Sequence, residues 1–85
     1  MLKHKVVLLN PAWLDLDAIA NYHMNTVGLD SARKITNKIF NDLERLETFP
    51  LSCPIAPYRE LAEQGYRILV SGKYVCLYKF INRVY

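Results

Sequence analysis

The spacing of apolar residues changes its period at Phe49-Pro50, and this change most constrains what the chain can fold into. Before it, residues 11–48 place apolar side chains three and four positions apart, as in a helix that buries one face. After it, residues 66–81 are rich in β-branched and aromatic side chains and indicate strands. A chain of 85 residues has room for one domain with one core, so helices and strands must pack together as an α+β fold.

The first helical pattern has a start signal and a stop signal. Asn10-Pro11 predicts its beginning, because Asn caps helices and Pro fits the first helical position. Gly28 predicts its end. His23 lies beside the apolar stripe, and we interpret it as a residue of the helix flank rather than as a catalyst. The predicted stripe comprises Trp13, Leu16, Ala20, Met24 and Val27.

A second helix is predicted from Asp30 or Ser31 to Phe49-Pro50, since the residue before a proline disfavours helical dihedral angles. The short joint at Gly28-Leu29 makes the two helices an αα-hairpin. The predicted stripe of the second helix comprises Ala32, Ile35, Ile39, Leu43 and Leu46.

Short apolar runs predict the strands, and residues 51–57, with their prolines, predict a loop that crosses the sheet edge. The resulting order is β-α-α-β-β-β, with an N-terminal strand and a helical hairpin packed on one face of a mostly antiparallel sheet. The predicted strands are residues 5–9, 58–61, 66–70 and 74–81, and Val84-Tyr85 begins one more.

The tight turn at Ser71-Gly72-Lys73 joins the last two predicted strands and decides which side chains share a face. A two-residue loop, at either Ser71-Gly72 or Gly72-Lys73, pairs residues of opposite parity, whereas a three-residue loop reverses the pairing. We expect the purely aliphatic face to pack under the helices and the face with arginine and tyrosines to be open. With a two-residue loop the open face comprises Arg67, Leu69, Tyr74, Cys76 and Tyr78, and the aliphatic face comprises Ile68, Val70, Val75, Leu77 and Ile81, with Lys79 of the same parity.

An arginine among tyrosines on a sheet face has two interpretations. The arginine stacks on the tyrosines and covers apolar surface. Alternatively, it binds phosphate while the tyrosines stack on unpaired bases. Nearby cations favour the second interpretation slightly. The candidate residues for nucleic-acid or target binding are Arg59, Arg67, Lys73, Tyr74, Tyr78 and Arg83.

Charge and cysteine content exclude several classes of protein. A net charge of +3 permits a polyanionic partner without requiring one. The two cysteines are too few for a disulfide scaffold, and with the two histidines they lack the paired spacing of a zinc site. We find no nucleotide motif and expect no metal and no cofactor. With neither a secretory signal nor a membrane-spanning run, we expect a cytoplasmic protein.

Several motifs in order resemble the RelE/ParE superfamily of bacterial toxins over nearly the whole chain. Asn10-Pro11-Ala12 follows the first predicted strand, and Leu46-Glu47-Thr48-Phe49-Pro50 ends the second helix. Arg59-Glu60-Leu61, then Gly65-Tyr66-Arg67, then Tyr74-Val75-Cys76-Leu77-Tyr78 follow in the family's order. Each motif is weak alone, and their order and spacing carry the resemblance.

The resemblance implies a toxin of a type II toxin–antitoxin module, neutralised by a cognate antitoxin. The RelE-like branch cleaves mRNA on the ribosome without metal, and the ParE-like branch inhibits DNA gyrase. Arg67 matches the strand arginine that contacts the scissile phosphate in the RelE-like branch. Glu60 is a candidate base, although a solvated turn carboxylate is the simpler interpretation of it. The residues of these motifs are more similar to those of the ParE-like branch.

The chain departs from the family at its C-terminal end. The family continues with a full strand and a tail, whereas this sequence stops at Tyr85, so we expect one RelE/ParE-like domain over residues 1–85 that is C-terminally incomplete. The catalytic residues that a metal-independent endoribonuclease needs are then an incomplete set. Whether the protein is an enzyme is left open by the sequence. An unpaired edge favours pairing with the antitoxin, or self-association as a homodimer. The alternatives are a degenerate, non-toxic relative that only binds antitoxin, and a small non-catalytic RNA-binding domain.

Overall fold

The computed structural model describes residues 4–81, and within them it is an α+β fold of two long helices packed against a two-stranded antiparallel sheet. The elements are α1 (Asn10–Thr26), α2 (Leu29–Thr48), α3 (Arg59–Glu63), β1 (Tyr66–Ser71) and β2 (Tyr74–Lys79).

The predicted helical hairpin is confirmed with small shifts of its boundaries. Helix α1 begins at Asn10 with Leu9 as its cap residue, one position before the predicted cap. Gly28 separates the helices with a φ of +142°, a backbone conformation that side chains with a Cβ rarely adopt. Helix α2 begins at Leu29 and ends immediately before Phe49-Pro50, as predicted.

The core lies between α2 and the sheet. Ile39, Leu43 and Leu46 of α2 are buried together with Leu69 of β1, which is 2% exposed. The predicted stripe of α2 is therefore the core-facing stripe.

The predicted stripe of α1 is confirmed at Leu16 and Ala20, but the buried face of the helix is rotated relative to the rest of it. Trp13, Met24 and Val27 are exposed, and the inward residues are a different set at helical spacing. Apolar residues occur around most of α1, so their spacing alone does not determine which face is buried. The buried or half-buried side chains are Ala12, Leu16, Ile19, Ala20 and His23.

The predicted N-terminal strand is not seen among the described residues. Residues 4–9 lie without a strand partner, and the backbone N–H of His4 donates to the carbonyl of Glu47 at 2.6 Å. Val6 and Leu8 pack against the core, while Val7 between them is exposed. Burial alternates here as it does in a strand, but His4 bonds to the end of α2 rather than to a neighbouring strand.

The predicted strand at residues 58–61 is wrong, because α3 occupies this position. Leu61, Ala62 and Glu63 are good helix formers, and Arg59 Nε donates to Glu63 Oε1 at 3.0 Å across one turn. The loop before α3 flanks the edge of β1, as predicted for residues 51–57, since Ile55 forms a bridge with Arg67.

The predicted hairpin has a two-residue loop, Gly72-Lys73. Its register pairs Arg67 with Tyr78, Leu69 with Cys76 and Ser71 with Tyr74. Strand β2 ends at Lys79, two residues before the predicted end. The predicted start of another strand at Val84-Tyr85 lies outside the described residues.

Candidate functional site

The two faces of the hairpin are reversed relative to the prediction. Leu69 is buried against the α2 core, and Tyr74, Cys76 and Tyr78 on the same face pack there as well. The face predicted to be open is thus the inner face. We call the aliphatic side the outer face; it comprises Tyr66, Ile68, Val70, Val75, Leu77 and Lys79.

Polar partners explain how the inner face tolerates burial. The hydroxyl of Tyr78 donates to the carbonyl of Pro50 at 2.7 Å, just after α2 ends. The hydroxyl of Tyr74 lies 2.8 Å from Nε2 of His23 on α1. Buried polar groups that keep a hydrogen bond avoid a desolvation penalty of about 1–3 kcal/mol each. The tyrosines therefore add apolar area to the core without leaving their hydroxyls unpaired.

Arg67, the predicted phosphate contact, is directed at the loop that follows α2. Its Nη1 donates to the carbonyl of Cys53 at 2.6 Å and to that of Leu51 at 3.4 Å. The side chain is half-buried, and its charge lies against carbonyl dipoles. The expectation of a solvent-facing arginine among open tyrosines is wrong, because the guanidinium attaches the loop to β1.

Burial also suppresses ionisation on the inner face. Burial and the neighbouring Cys53 thiol raise the pKa of Tyr78 to about 12. Burial raises the pKa of the Cys76 thiol as well. Tyr78 therefore stays a neutral hydrogen-bond donor near neutral pH, and Cys76 stays a thiol, which is a poor nucleophile.

The other predicted site residues are not gathered around Arg67. Glu60 is exposed on α3, and no hydrogen bond or ion pair joins it to Arg67 in the described part of the chain. Arg59 is exposed and paired with Glu63, and Lys73 is exposed in the hairpin turn. Arg83 lies outside the described residues. The structure thus brings Arg67 and Tyr78 together as a cross-strand pair and leaves Glu60 apart.

His23 is a residue whose role the sequence prediction missed. It is the buried residue of α1, 6% exposed, and it holds Tyr74 of β2. Its spacing from Ile19 and Ala20, four and three positions, places it on their face of the helix. This spacing could have identified His23, but the predicted stripe included the neighbouring Met24 instead, which is exposed.

The charged side chains of α2 around Asp42 form ion pairs within that helix. Lys38 Nζ donates a hydrogen bond to Asp42 Oδ2 at 3.2 Å, and Arg45 Nη2 lies 3.6 Å from Asp42 Oδ1. The Ser71 hydroxyl, followed by these two cations, holds the pKa of Asp42 below its ordinary value. Asp42 is therefore an ionised partner of two α2 cations rather than a proton donor.

Comparison with protein families gives a match that spans residues 6–84, to the family described as ParE toxin of type II toxin-antitoxin system, parDE. The chain belongs to the ParE toxin family. Proteins of the ParE family pair with a cognate antitoxin. Comparisons with curated proteins and with solved structures find no match.

Residues 4–81 show neither a cluster of metal ligands nor a helix suited to a membrane. No group of three or more His, Cys, Asp or Glu side chains in this range is placed to hold a metal ion. None of its helices has the length and apolar character that a membrane crossing requires.

Proposed function

We propose that this ParE-family protein inhibits growth by binding a protein target, DNA gyrase, in the cytoplasm, and that its cognate antitoxin neutralises it. Family membership supports the toxin–antitoxin part of the proposal. The choice of gyrase over mRNA rests on the chemistry available on the hairpin.

Cleavage of RNA without metal needs a base for the 2′-hydroxyl, a cation for the phosphate and an acid for the leaving oxygen. The candidate cation, Arg67, already donates to the Cys53 carbonyl at 2.6 Å, and this contact carries the proposal. The candidate base, Glu60, has no contact with it among the described residues. Tyr78 has a pKa raised to about 12 and its hydroxyl bonds to Pro50.

A protein target requires no such constellation, only a complementary surface. The exposed cations Arg59 and Lys73 are available for that surface, together with the apolar outer face. Action by surface contact therefore fits the arrangement better than cleavage does.

Induced expression in a bacterial host, with and without the antitoxin encoded beside the gene, tests this proposal. We expect growth arrest, loss of negative supercoiling in a reporter plasmid, and intact transcripts, all reversed by the antitoxin. Transcripts cut at ribosomes with unchanged supercoiling would establish RNA cleavage instead. Unimpaired growth, with the antitoxin still bound, would identify a degenerate relative.

A further inference from the structure

The solvent-facing side of α2 carries a line of basic residues. Side chains at positions i, i+4, i+7 and i+11 of a helix share one face, and on α2 these positions hold three cations and one amide, all exposed. The modest net charge of +3 for the whole chain conceals this concentration of positive charge. We call this line the basic stripe; it comprises Lys34, Lys38, Asn41 and Arg45.

Asp42 orients two cations of the basic stripe without burying them. Lys38 Nζ lies 3.2 Å from one oxygen of its carboxylate, and Arg45 Nη2 lies 3.6 Å from the other. The side chains of Lys38 and Arg45 nevertheless remain 56% and 64% exposed. The residues of α2 that form the core lie on another side of the helix. Both cations are therefore held in place and accessible to a ligand.

Negative charge is sparse along the basic stripe. Among residues 4–81, Asp42 is the one carboxylate that forms ion pairs with its cations. Glu44 and Glu47 instead line a cleft with Val6 and Leu8, at the side of α2 where the N-terminal segment packs. The stripe therefore keeps an excess of positive charge.

The hairpin turn extends this positive surface beyond α2. Cε of Lys38 lies 3.7 Å from the position that a Cβ atom on Gly72 would take, so the stripe and the turn are in contact. Lys73, the next residue of the turn, is exposed. The cations of two separate elements thus form one surface, which a ligand with several negative charges fits best.

The dimensions and composition of the basic stripe distinguish between polyanions. Its eleven helical steps span about 16 Å, a length over which duplex DNA carries about ten negative charges. The stripe has no aromatic side chain on which an unpaired base could stack, which disfavours single strands. The major groove of B-form DNA admits an α-helix, whereas that of duplex RNA is too narrow for side chains to read.

We propose that the basic stripe binds the phosphate backbone of duplex DNA, with the exposed side of α2 at the major groove. Lys34, Lys38 and Arg45 neutralise phosphates, and the amide of Asn41 between them donates to a phosphate oxygen. Contacts of this kind position a protein on DNA without reading its sequence. This inference goes beyond the proposed function, which assigns a protein target, and it is tested on the chain alone.

Fluorescence anisotropy of a short labelled duplex DNA, titrated with the full chain at several salt concentrations, tests the proposal. We expect the logarithm of the binding constant to fall with the logarithm of the salt concentration, with a slope of about −2.7 for three neutralised phosphates. Single-stranded DNA of the same sequence, and duplex RNA, should each bind at least about tenfold more weakly.

Charge-removing variants locate the contact. Lys34→Gln/Lys38→Gln should weaken binding at low salt by at least about tenfold and reduce the steepness of the slope by about 1.8. Lys34→Gln/Arg45→Gln should have the same effect, and it leaves the ion pair of Lys38 with Asp42 intact. The matched control, Lys5→Gln/Lys79→Gln, removes the same net charge at exposed positions outside α2 and should change the affinity less than about twofold. Thermal unfolding confirms that each variant is folded.

Several results would overturn the proposal. These are no binding of duplex DNA to the folded chain at low salt, equal weakening by the stripe variants and the matched control, and single strands bound as tightly as the duplex. Duplex RNA bound as tightly as duplex DNA, or more tightly, would also contradict the assignment to DNA.

Discussion

Nε2 of His23 on α1 and the hydroxyl of Tyr74 at the start of β2 lie 2.8 Å apart, although 51 positions separate the two residues in the sequence. The contact joins the end of the helical hairpin to the β-hairpin. Because Tyr74 shares its face with Leu69 and Tyr78, satisfying its hydroxyl at His23 goes with turning that whole face inward. The aliphatic residues then face outward.

The His23–Tyr74 contact should be measurable as a coupling free energy. His23→Ala should lower the free energy of unfolding by about 1–3 kcal/mol, since it leaves the Tyr74 hydroxyl without its partner. Tyr74→Phe should lower it by about 1 kcal/mol. In a double-mutant cycle by urea unfolding, we expect the two effects to fall short of additivity by at least about 0.5 kcal/mol. Additive effects would show that the contact does not stabilise the fold.

Arg67→Ala should destabilise the protein through the loop at residues 51–57. It removes charge-assisted hydrogen bonds to the Cys53 and Leu51 carbonyls, at a cost of about 1.5–3 kcal/mol. Arg59→Ala is the matched control, since its exposed ion pair with Glu63 contributes less than about 0.5 kcal/mol. Chemical denaturation measures both, and amide hydrogen exchange locates the loosening. Equal, small effects at the two positions would refute the role assigned to Arg67.

Tyr78 should ionise late in an alkaline titration, because its pKa is raised to about 12 from an ordinary value of 10.0. A raised pKa means that folding favours the neutral form. Its stabilising contribution is therefore complete below pH 10 and is lost as the pH rises from about 10 to about 12. Ultraviolet absorbance of tyrosinate during alkaline titration measures this ionisation. Tyr78→Phe should remove the late step, and a late step that persists in that variant belongs to another residue.

Neighbouring substitutions on β1 test which face is inside. Leu69→Ala should cost about 2–5 kcal/mol, as expected for a buried leucine. Val70→Ala, one position on and 58% exposed, should cost less than about 1 kcal/mol. Thermal unfolding of the two variants gives the comparison. A larger loss at Val70 than at Leu69 would mean that the originally predicted face is the buried one.

Local signals in the sequence predicted the two long helices and, for a two-residue loop, which residues of the hairpin share a face. Gly28 and Phe49-Pro50 are strong helix boundaries, and Ala32, Ile39 and Leu43 form one narrow stripe on α2. The sequence left the loop open between Ser71-Gly72 and Gly72-Lys73, and the structure sets it at Gly72-Lys73, which pairs Arg67 with Tyr78.

The orientation of the sheet was not predictable from the same residues. Both faces of the hairpin are apolar enough to form a core, so alternation does not distinguish them. The decisive factors are long-range polar contacts, from Tyr78 to Pro50 and from Tyr74 to His23, which local periodicity does not contain. This is why the candidate site changed from an open arginine–tyrosine face to an exposed aliphatic one.

The two wrongly predicted strands failed for different physical reasons. Residues 5–9 have strand propensity and alternate in burial, but a strand also needs a neighbour, and none pairs with them among the described residues. Residues 58–61 were too short for propensity to decide, and helix formers further along, through Glu63, determined α3.

Assays of the purified chain with DNA gyrase and with translating ribosomes test the central claim most directly. We expect the supercoiling of relaxed plasmid by gyrase to fall as the protein is added, and to recover when the antitoxin is added. We expect mRNA on ribosomes in a parallel reaction to remain intact. Cleaved mRNA together with undiminished supercoiling would contradict the account.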